Sequence, residues 1–546
     1  MEKTRILTTK LGRITGAVLD NVVQYRGIPY ARIPGRFKDP VGPVTHLGDF
    51  DATKWGPMAV QQPDAEEVDA RVLNHKLTPM PAERKTMSEL ECANLVVVTP
   101  YTSVHAEERE KDNLSPTTVL LPTIVWVHGG ANRIGSANFV GYDMRRFVKH
   151  SIDVVGRPVV VVSLNYRLGT LGYLACGEVG AGGNYGLKDQ VVGLRWVKEH
   201  IQQFGGDPDN ITFMGESAGG IAGSLHLYSK VPLFKRAILL SGLAGLLPPR
   251  PLDAQELIYL KTCEKLDFAN LPPLQRAERM LTIPAVELAK IAFEVEICPT
   301  SDGEFIPTKD WIRHENFKPL PDWCDSLVIG SCKDEWGVMQ QGGAIKDYSN
   351  PLRTFKRRIS RQLTPEQTSS LLSHFRLSPS DPRDTTIEKL YVLIADYGFR
   401  LPAYMFTRYW TGHPQKEAYF AQFAVPTPLE GPNRGRAHHG VDVVFSFLNQ
   451  HDELPETGGY RELEGEVAAA WCRYVYGEAP WGAYDEEGGK VVRVFDVGGR
   501  GGERRLDEWG RGEWEAWKVM EEAGVDRVWE MGQAFLAGPG EEGEED

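Results

Sequence analysis

The stretch Asn210 to Gly220, NITFMGESAGG, holds Gly215-Glu216-Ser217-Ala218-Gly219, a G-x-S-x-G pattern. This spacing suits nucleophilic chemistry by Ser217. A serine hydroxyl is a weak nucleophile until a sharp turn presents it and a base can reach it. Placing it between a strand and a helix forces unusual backbone torsions, and the small residues two before and two after let the two elements approach without clash. The helix that follows aims its N-terminus at the serine, where it favours developing negative charge. Three fixed positions in five recur by chance, so the flanks carry the argument. A short β-rich run, Ile211 to Met214, enters the turn, and Gly219 to Leu227 (GGIAGSLHL) leaves it with small and apolar side chains fit for a packed helix.

Attack by such a serine on an acyl carbon creates an oxyanion, and donors aimed at it usually supply the largest electrostatic contribution. One donor is expected to be the backbone N–H of Ala218, the residue after the serine. The others are expected from a Gly-rich turn after an earlier strand. Val125 to Ala131, VWVHGGA, supplies that turn, and Gly129 and Gly130 let its backbone come close to a substrate.

The elements that must position these residues are legible nearby. Thr123 to His128 (TIVWVH) and Pro158 to Leu164 (PVVVVSL) are β-branched apolar runs of the kind buried on both faces of a parallel sheet. Leu187 to Phe204 carries Val191, Leu194, Val197 and Ile201 at spacings of three and four, an amphipathic helix. Strand, helix and strand in this order form a βαβ unit, so the expected class is α/β with a large, mostly parallel sheet and helices on both faces. About 250 to 320 and 345 to 415 look like helices inserted around that sheet. Asp485 to Gly502 looks like a late hairpin or loop, and Glu513 to Leu536 like one or two helices interrupted at Gly524, with Trp514, Trp517 and Trp529 as core anchors. The expected organisation is one domain over residues 1–536 and an acidic, flexible tail over 537–546, without internal repeats.

Composition narrows the class. The chain has 546 residues, with 61 basic side chains against 74 acidic ones and a net charge of −13. Apolar residues make up 42 %, which is ordinary for a globular protein. The acidic balance argues against a nucleic-acid partner, whose phosphates reward a basic face. No run of about 18 apolar residues offers a membrane-spanning helix, and the start, MEKTRILTTKLGRITG, lacks the apolar core of a secretory signal. The seven cysteines are scattered, odd in number and fit neither a disulfide framework nor a zinc pattern. Buried, reduced thiols in an intracellular protein are the expectation.

Taken together, these segments resemble the type-B carboxylesterase family, the carboxylesterase and cholinesterase branch of the α/β hydrolases. Gly183 to Gly220 resembles the family's most recognisable block almost throughout. Arg26 to Ala31 (RGIPYA) with Gly35 to Pro40 (GRFKDP), Ser88 to Val98 (SELECANLVVV), Asn165 to Leu174 (NYRLGTLGYL), and Trp481 to Tyr484 with Val491 to Phe495 are similar to further family segments. The resemblance implies an α/β-hydrolase fold and a triad in the chain order serine, acid, histidine. Leu327 to Gly337, LVIGSCKDEWG, resembles the acid turn, with Glu335 in the acid's place and Asp334 as the alternative; Trp336 stands where the family usually has glycine. Gly435 to Phe447, GRAHHGVDVVFSF, resembles the histidine segment. His439, followed by Asp442 and Phe445, is in the family register, and His438 is the alternative.

The implied mechanism has His439 take the proton of Ser217, Glu335 hold the imidazole, and the N–H groups of Gly130, Ala131 and Ala218 receive the oxyanion. Glu216 resembles a buried family acid near the histidine and is expected to act electrostatically from behind. The implied substrate is a small organic ester or lactone. No cofactor or metal is expected, and oligomeric state is left open. Departures accompany the resemblance. Ala131 and Asn132 replace a third glycine and an aromatic; the methyl is expected to restrict the turn, and the amide to open the pocket or bond a polar substrate. Cys92 and Cys263 lack family disulfide partners, with Ala59 where one is usual, which fits a cytoplasmic, reducing location. Val72 to Glu91 (VLNHKLTPMPAERKTMSELE), just before Cys92, has no tryptophan where cholinesterases use one to hold a quaternary ammonium, which argues against acetylcholine. An acyltransferase or thioesterase would use the same residues, and a non-catalytic scaffold would be expected to lack one of them.

Overall fold

The computed structural model describes residues 3–76, 80–101, 119–306, 321–342, 348–509 and 511–524. The β-branched runs build one 13-stranded sheet. Its strands are β1 (Thr4–Thr9), β2 (Gly12–Leu19), β3 (Val22–Pro29), β4 (Gly48–Asp51), β5 (Asn94–Pro100), β6 (Leu121–Val127), β7 (Val160–Leu164), β8 (Gly206–Glu216), β9 (Arg236–Leu240), β10 (Ser326–Cys332), β11 (Glu417–Phe423), β12 (Val491–Phe495) and β13 (Gly502–Arg505). The order across the sheet is β1-β2-β3-β5-β7-β6-β8-β9-β10-β11-β12-β13, with β4 paired to β2. From β7 to β12 every neighbouring pair is parallel, while β1–β2–β3–β5–β7 and β12–β13 are antiparallel. The late hairpin is thus β12 and β13, which extend one edge.

Alternation along the parallel strands feeds two apolar layers. Val125 and Val127 of β6, Val160, Val162 and Leu164 of β7 and Phe213 of β8 point into one. Ile124 and Trp126 of β6, Val161 of β7 and Met214 of β8 point into the other. Strands buried on both faces need exactly such continuous apolar runs, because neither side meets water. The amphipathic segment forms α1 (Tyr185–His200), continued by a 3-10 turn over Ile201–Phe204, and crosses from β7 to β8. The inserted region after β9 is helical over Leu252–Lys265, Pro273–Thr282 and Ala285–Lys290. A second helical group, between β10 and β11, covers Pro351–Ile359, Pro365–His374, Arg383–Ala395 and Leu401–Thr411.

The last described helix, Arg511–Ala523, stops before Gly524, whose φ is +91°. Trp517 lies in the core and Trp514 packs against it. Trp529 and the acidic tail lie outside the described residues. All seven cysteines are buried and unpaired, with Cys92 and Ala59 in the same apolar layer. Among the described residues no helix is long and apolar enough to cross a membrane.

Candidate active site

The serine turn sits at the carboxyl end of β8, between β6 and β9. Ser217 has φ 54° and ψ −121°, and α2 (Ala218–His226) begins at the next residue. A non-glycine residue in that region stores strain of order 1–3 kcal/mol and persists only where its surroundings fix it. Here the Ser217 N–H donates to the Leu240 carbonyl at 2.9 Å, and Ser217 O accepts from the Ile221 N–H at 2.9 Å. Glycines make the turn possible. A Cβ on Gly219 would lie 2.0 Å from the Val127 carbonyl oxygen, and one on Gly215 would lie 2.4 Å from the Gly219 backbone.

The β6 turn comes to the same place. A Cβ on Gly129 would lie 2.9 Å from Ser217 Cβ and 2.5 Å from Glu216 Oε2, so this backbone runs against the serine. Gly130, Ala131 and Asn132 all have positive φ, at 94°, 54° and 61°. The Gly130 carbonyl closes the turn by accepting from the N–H groups of Arg133 and Ile134. Among the described residues, the Gly130 and Ala131 N–H groups find no acceptor. Ala218, first in its helix, has no intrahelical acceptor for its own N–H. Ala131 therefore holds the torsion a glycine would favour. Asn132 is buried, and its Oδ1 accepts from the Tyr173 hydroxyl at 2.9 Å. Its amide oxygen is thus spent on packing the turn, rather than facing outward.

Glu335 and His439 meet. Glu335 lies three residues beyond the end of β10 and is fully buried. Its Oε1 accepts from the Cys332 N–H at 2.7 Å, and its Oε2 lies 2.6 Å from His439 Nδ1. The carboxylate can only accept, so Nδ1 carries the proton. His439 Nε2 lies 3.1 Å from Glu216 Oε1, and the Phe399 ring lies 5.1 Å from the imidazole. Both alternatives point elsewhere. His438 Nδ1 lies 2.7 Å from the His439 carbonyl oxygen, its Nε2 is buried with no partner, and burial pushes its pKa down to about 4. Asp334 Oδ2 accepts from the Ala437 N–H at 2.8 Å, and so holds the histidine loop without touching the imidazole. Trp336 packs under the Arg436 guanidinium at 4.3 Å, which accommodates its bulk beside the acid turn.

Buried carboxyls crowd this centre. Burial raises Glu216 well above the usual carboxylate range, with Asp442, Glu335 and Asp69 adding to the rise. Burial pulls His439 down, but Glu216 and Glu335 outweigh it and bring it up to about 9. The two shifts describe a shared proton, which the Glu216–His439 pair holds beyond the ordinary imidazole range. Burial also raises Asp442 to about 6 and Asp69 to about 7. Two further residues of this region escaped the sequence reading. Ser241 donates to Asp442 Oδ2 at 2.6 Å, tying the end of β9 to the helix after His439. Gly242 is pressed so close that a Cβ would lie 2.0 Å from Ser217 O. Only Asp442 had left a signal, as the acid three positions after His439.

A strained serine turn at the carboxyl end of a parallel strand, in a sheet of this order, defines an α/β hydrolase. The chain belongs to the carboxylesterase family, whose model matches residues 3–487, and it is an esterase-type hydrolase. It is 31 % identical over 470 residues to pyrethroid hydrolase Ces2a of Mus musculus, covering 81 % of this chain and 77 % of the relative. It is 30 % identical over 514 residues to para-nitrobenzyl esterase of Bacillus subtilis, covering 88 % and 93 %. Among solved structures, the Geobacillus stearothermophilus carboxylesterase EST55 aligns with a TM-score of 0.71 at 27 % identity, over 94 % of this chain and 99 % of that one.

Proposed function

We propose that this protein hydrolyses small organic esters or lactones through an acyl-enzyme on Ser217. His439 Nε2 exchanges its contact with Glu216 for the Ser217 hydroxyl and takes its proton as the oxygen attacks the carbonyl carbon. Glu335 holds Nδ1–H and stabilises the imidazolium that forms. The unpaired N–H groups of Gly130 and Ala131, with that of Ala218, receive the oxyanion. His439 then protonates the leaving alcohol, and water repeats the sequence to release the acid. Glu216 acts on the proton affinity of His439 and not as a donor to substrate.

The observation that carries this reading is the 2.6 Å contact of His439 Nδ1 with buried Glu335, on the imidazole whose other nitrogen touches the neighbour of a strained serine. Seven buried, unpaired cysteines support a reducing compartment as its working place. A fluorophosphonate should label the wild-type protein and leave Ser217→Ala unlabelled. Label on the variant, or none on the wild type, removes Ser217 as nucleophile. A panel of 4-nitrophenyl esters should then turn over, with acyl release to water exceeding transfer to added alcohols; the reverse ratio would make the protein an acyltransferase.

A further inference from the structure

Arg133 follows the β6 turn by two residues from Ala131 and is half-buried. Its guanidinium is fixed entirely by neutral acceptors. Nε donates to the Ala292 carbonyl at 2.6 Å, Nη1 to the Ala131 carbonyl at 3.2 Å and Nη2 to the Val295 carbonyl at 3.2 Å. The Phe293 ring lies 5.6 Å from the guanidinium carbon. Among the described residues no carboxylate lies within ion-pair distance of it. Glu296, the carboxylate that acts on it most, is bound instead to Arg250 Nε at 2.7 Å. The neighbouring Cys298 thiol is pushed upward by burial and stays neutral, so it supplies no counter-charge.

This arrangement orients the cation without neutralising it. Carbonyls satisfy N–H groups, but a recessed charge without a counter-ion is costly, and the missing partner is an anion. The guanidinium keeps N–H donors beyond the three in use, in a planar fork that matches a carboxylate. Its bond to the Ala131 carbonyl puts it one residue's reach from the proposed oxyanion donors. In a chain of net charge −13, long-range attraction does not favour anions, so any anion preference must come from such a local cation.

We infer that Arg133 is a specificity-determining residue, which binds an ionised carboxyl group on the body of the ester substrate. The substrate class is then the monoester that carries a second, free carboxylate. This rests on the reading of the protein as a Ser217 esterase. Tethering of residues 291–295 to the turn is the competing role, and it predicts equal losses for charged and neutral substrates.

The test compares kcat/KM for mono-4-nitrophenyl adipate and 4-nitrophenyl hexanoate, which differ in a terminal carboxylate on the acyl side. A second pair, the acetates of 4-hydroxybenzoate and 4-methylphenol, places the charge on the alcohol side. The wild type should prefer the charged member of at least one pair by ten-fold or more. Arg133→Gln should lower that ratio at least ten-fold, Arg133→Lys should keep part of it, and free adipate should inhibit hexanoate ester cleavage by the wild type far more than by Arg133→Gln. Equal loss on both members, or no wild-type preference in either pair, overturns the inference. Failure to cleave any of the four esters, charged or neutral, would instead overturn the esterase reading, so the two failures are distinct.

Discussion

Asp334 and Glu335, adjacent in the chain, hold two different parts of one loop: Asp334 accepts from the Ala437 N–H at 2.8 Å, and Glu335 lies 2.6 Å from the imidazole of His439. Successive side chains after β10 thus divide loop anchoring from contact with the ring. On the proposed mechanism Glu335→Gln should cost roughly 10³-fold or more in kcat, because the wrong tautomer of His439 is then favoured. Asp334→Ala removes a backbone anchor worth about 1–3 kcal/mol and should act mainly on stability, with a smaller loss of kcat. Measuring kcat and Tm for both variants decides the matter. A larger kinetic loss in Asp334→Ala would transfer the acid's role to that residue.

The pH profile follows from the shared proton. On the proposed mechanism His439 must be neutral to act as a base, and its neighbours bring it up to about 9. The wild-type kcat/KM should therefore rise with pH through a midpoint above the ordinary imidazole value of about 6.5. Glu216→Gln removes the strongest of the opposing carboxylates and should move that midpoint down. A midpoint that stays put, or moves up, would show that Glu216 does not govern the imidazole.

Asp69 offers a test on stability. It accepts from the Tyr142 hydroxyl at 2.7 Å, and burial raises it to about 7. An acid whose folded value exceeds its unfolded one binds more protons when folded, so its contribution falls as pH rises from about 4 to 7. Asp69→Asn keeps an acceptor for Tyr142 and cannot ionise. It should be more stable than the wild type at pH 8, by on the order of 4 kcal/mol, and about equal at pH 4. Thermal melts at the two pH values read the difference directly; a greater gain at pH 4 would contradict the assignment.

Gly242 should tolerate no side chain. A Cβ there would meet the Ser217 carbonyl oxygen at 2.0 Å, and both groups are fixed by backbone. Gly242→Ala should destabilise the protein by about 1–3 kcal/mol. It should also reduce fluorophosphonate labelling, since the strain would fall on the serine turn itself. Unchanged melting and labelling would mean that the turn can shift freely.

The parallel core was legible because its strands are buried on both faces and so write themselves as unbroken β-branched runs. Ile211 to Met214 extends to Gly206–Glu216 in the structure because Gly206 and Gly215 pair with β6 and Glu216 pairs with β9, although none of the three carries an apolar signal. The strands at the β1 edge are harder to read for a related reason: β1, β2 and β4 are partly exposed, and their mixed composition is compatible with loops.

For the site, local sequence determined the turn at Ser217, because a strained torsion needs small neighbours within two residues. It also marked the Gly-rich turn after β6, and resemblance narrowed the acid and the histidine to two adjacent candidates each. Choosing within each pair needed three dimensions. Neighbouring residues project in different directions, and only the approach of the loop after β10 to the loop before Val441 decides that Glu335, and not Asp334, reaches an imidazole. The Ser241–Asp442 bond, the pressure of Gly242 on Ser217 and the unneutralised charge of Arg133 belong wholly to tertiary structure. Each depends on which distant groups arrive, or fail to arrive, within a few ångströms, and no spacing along the chain encodes that.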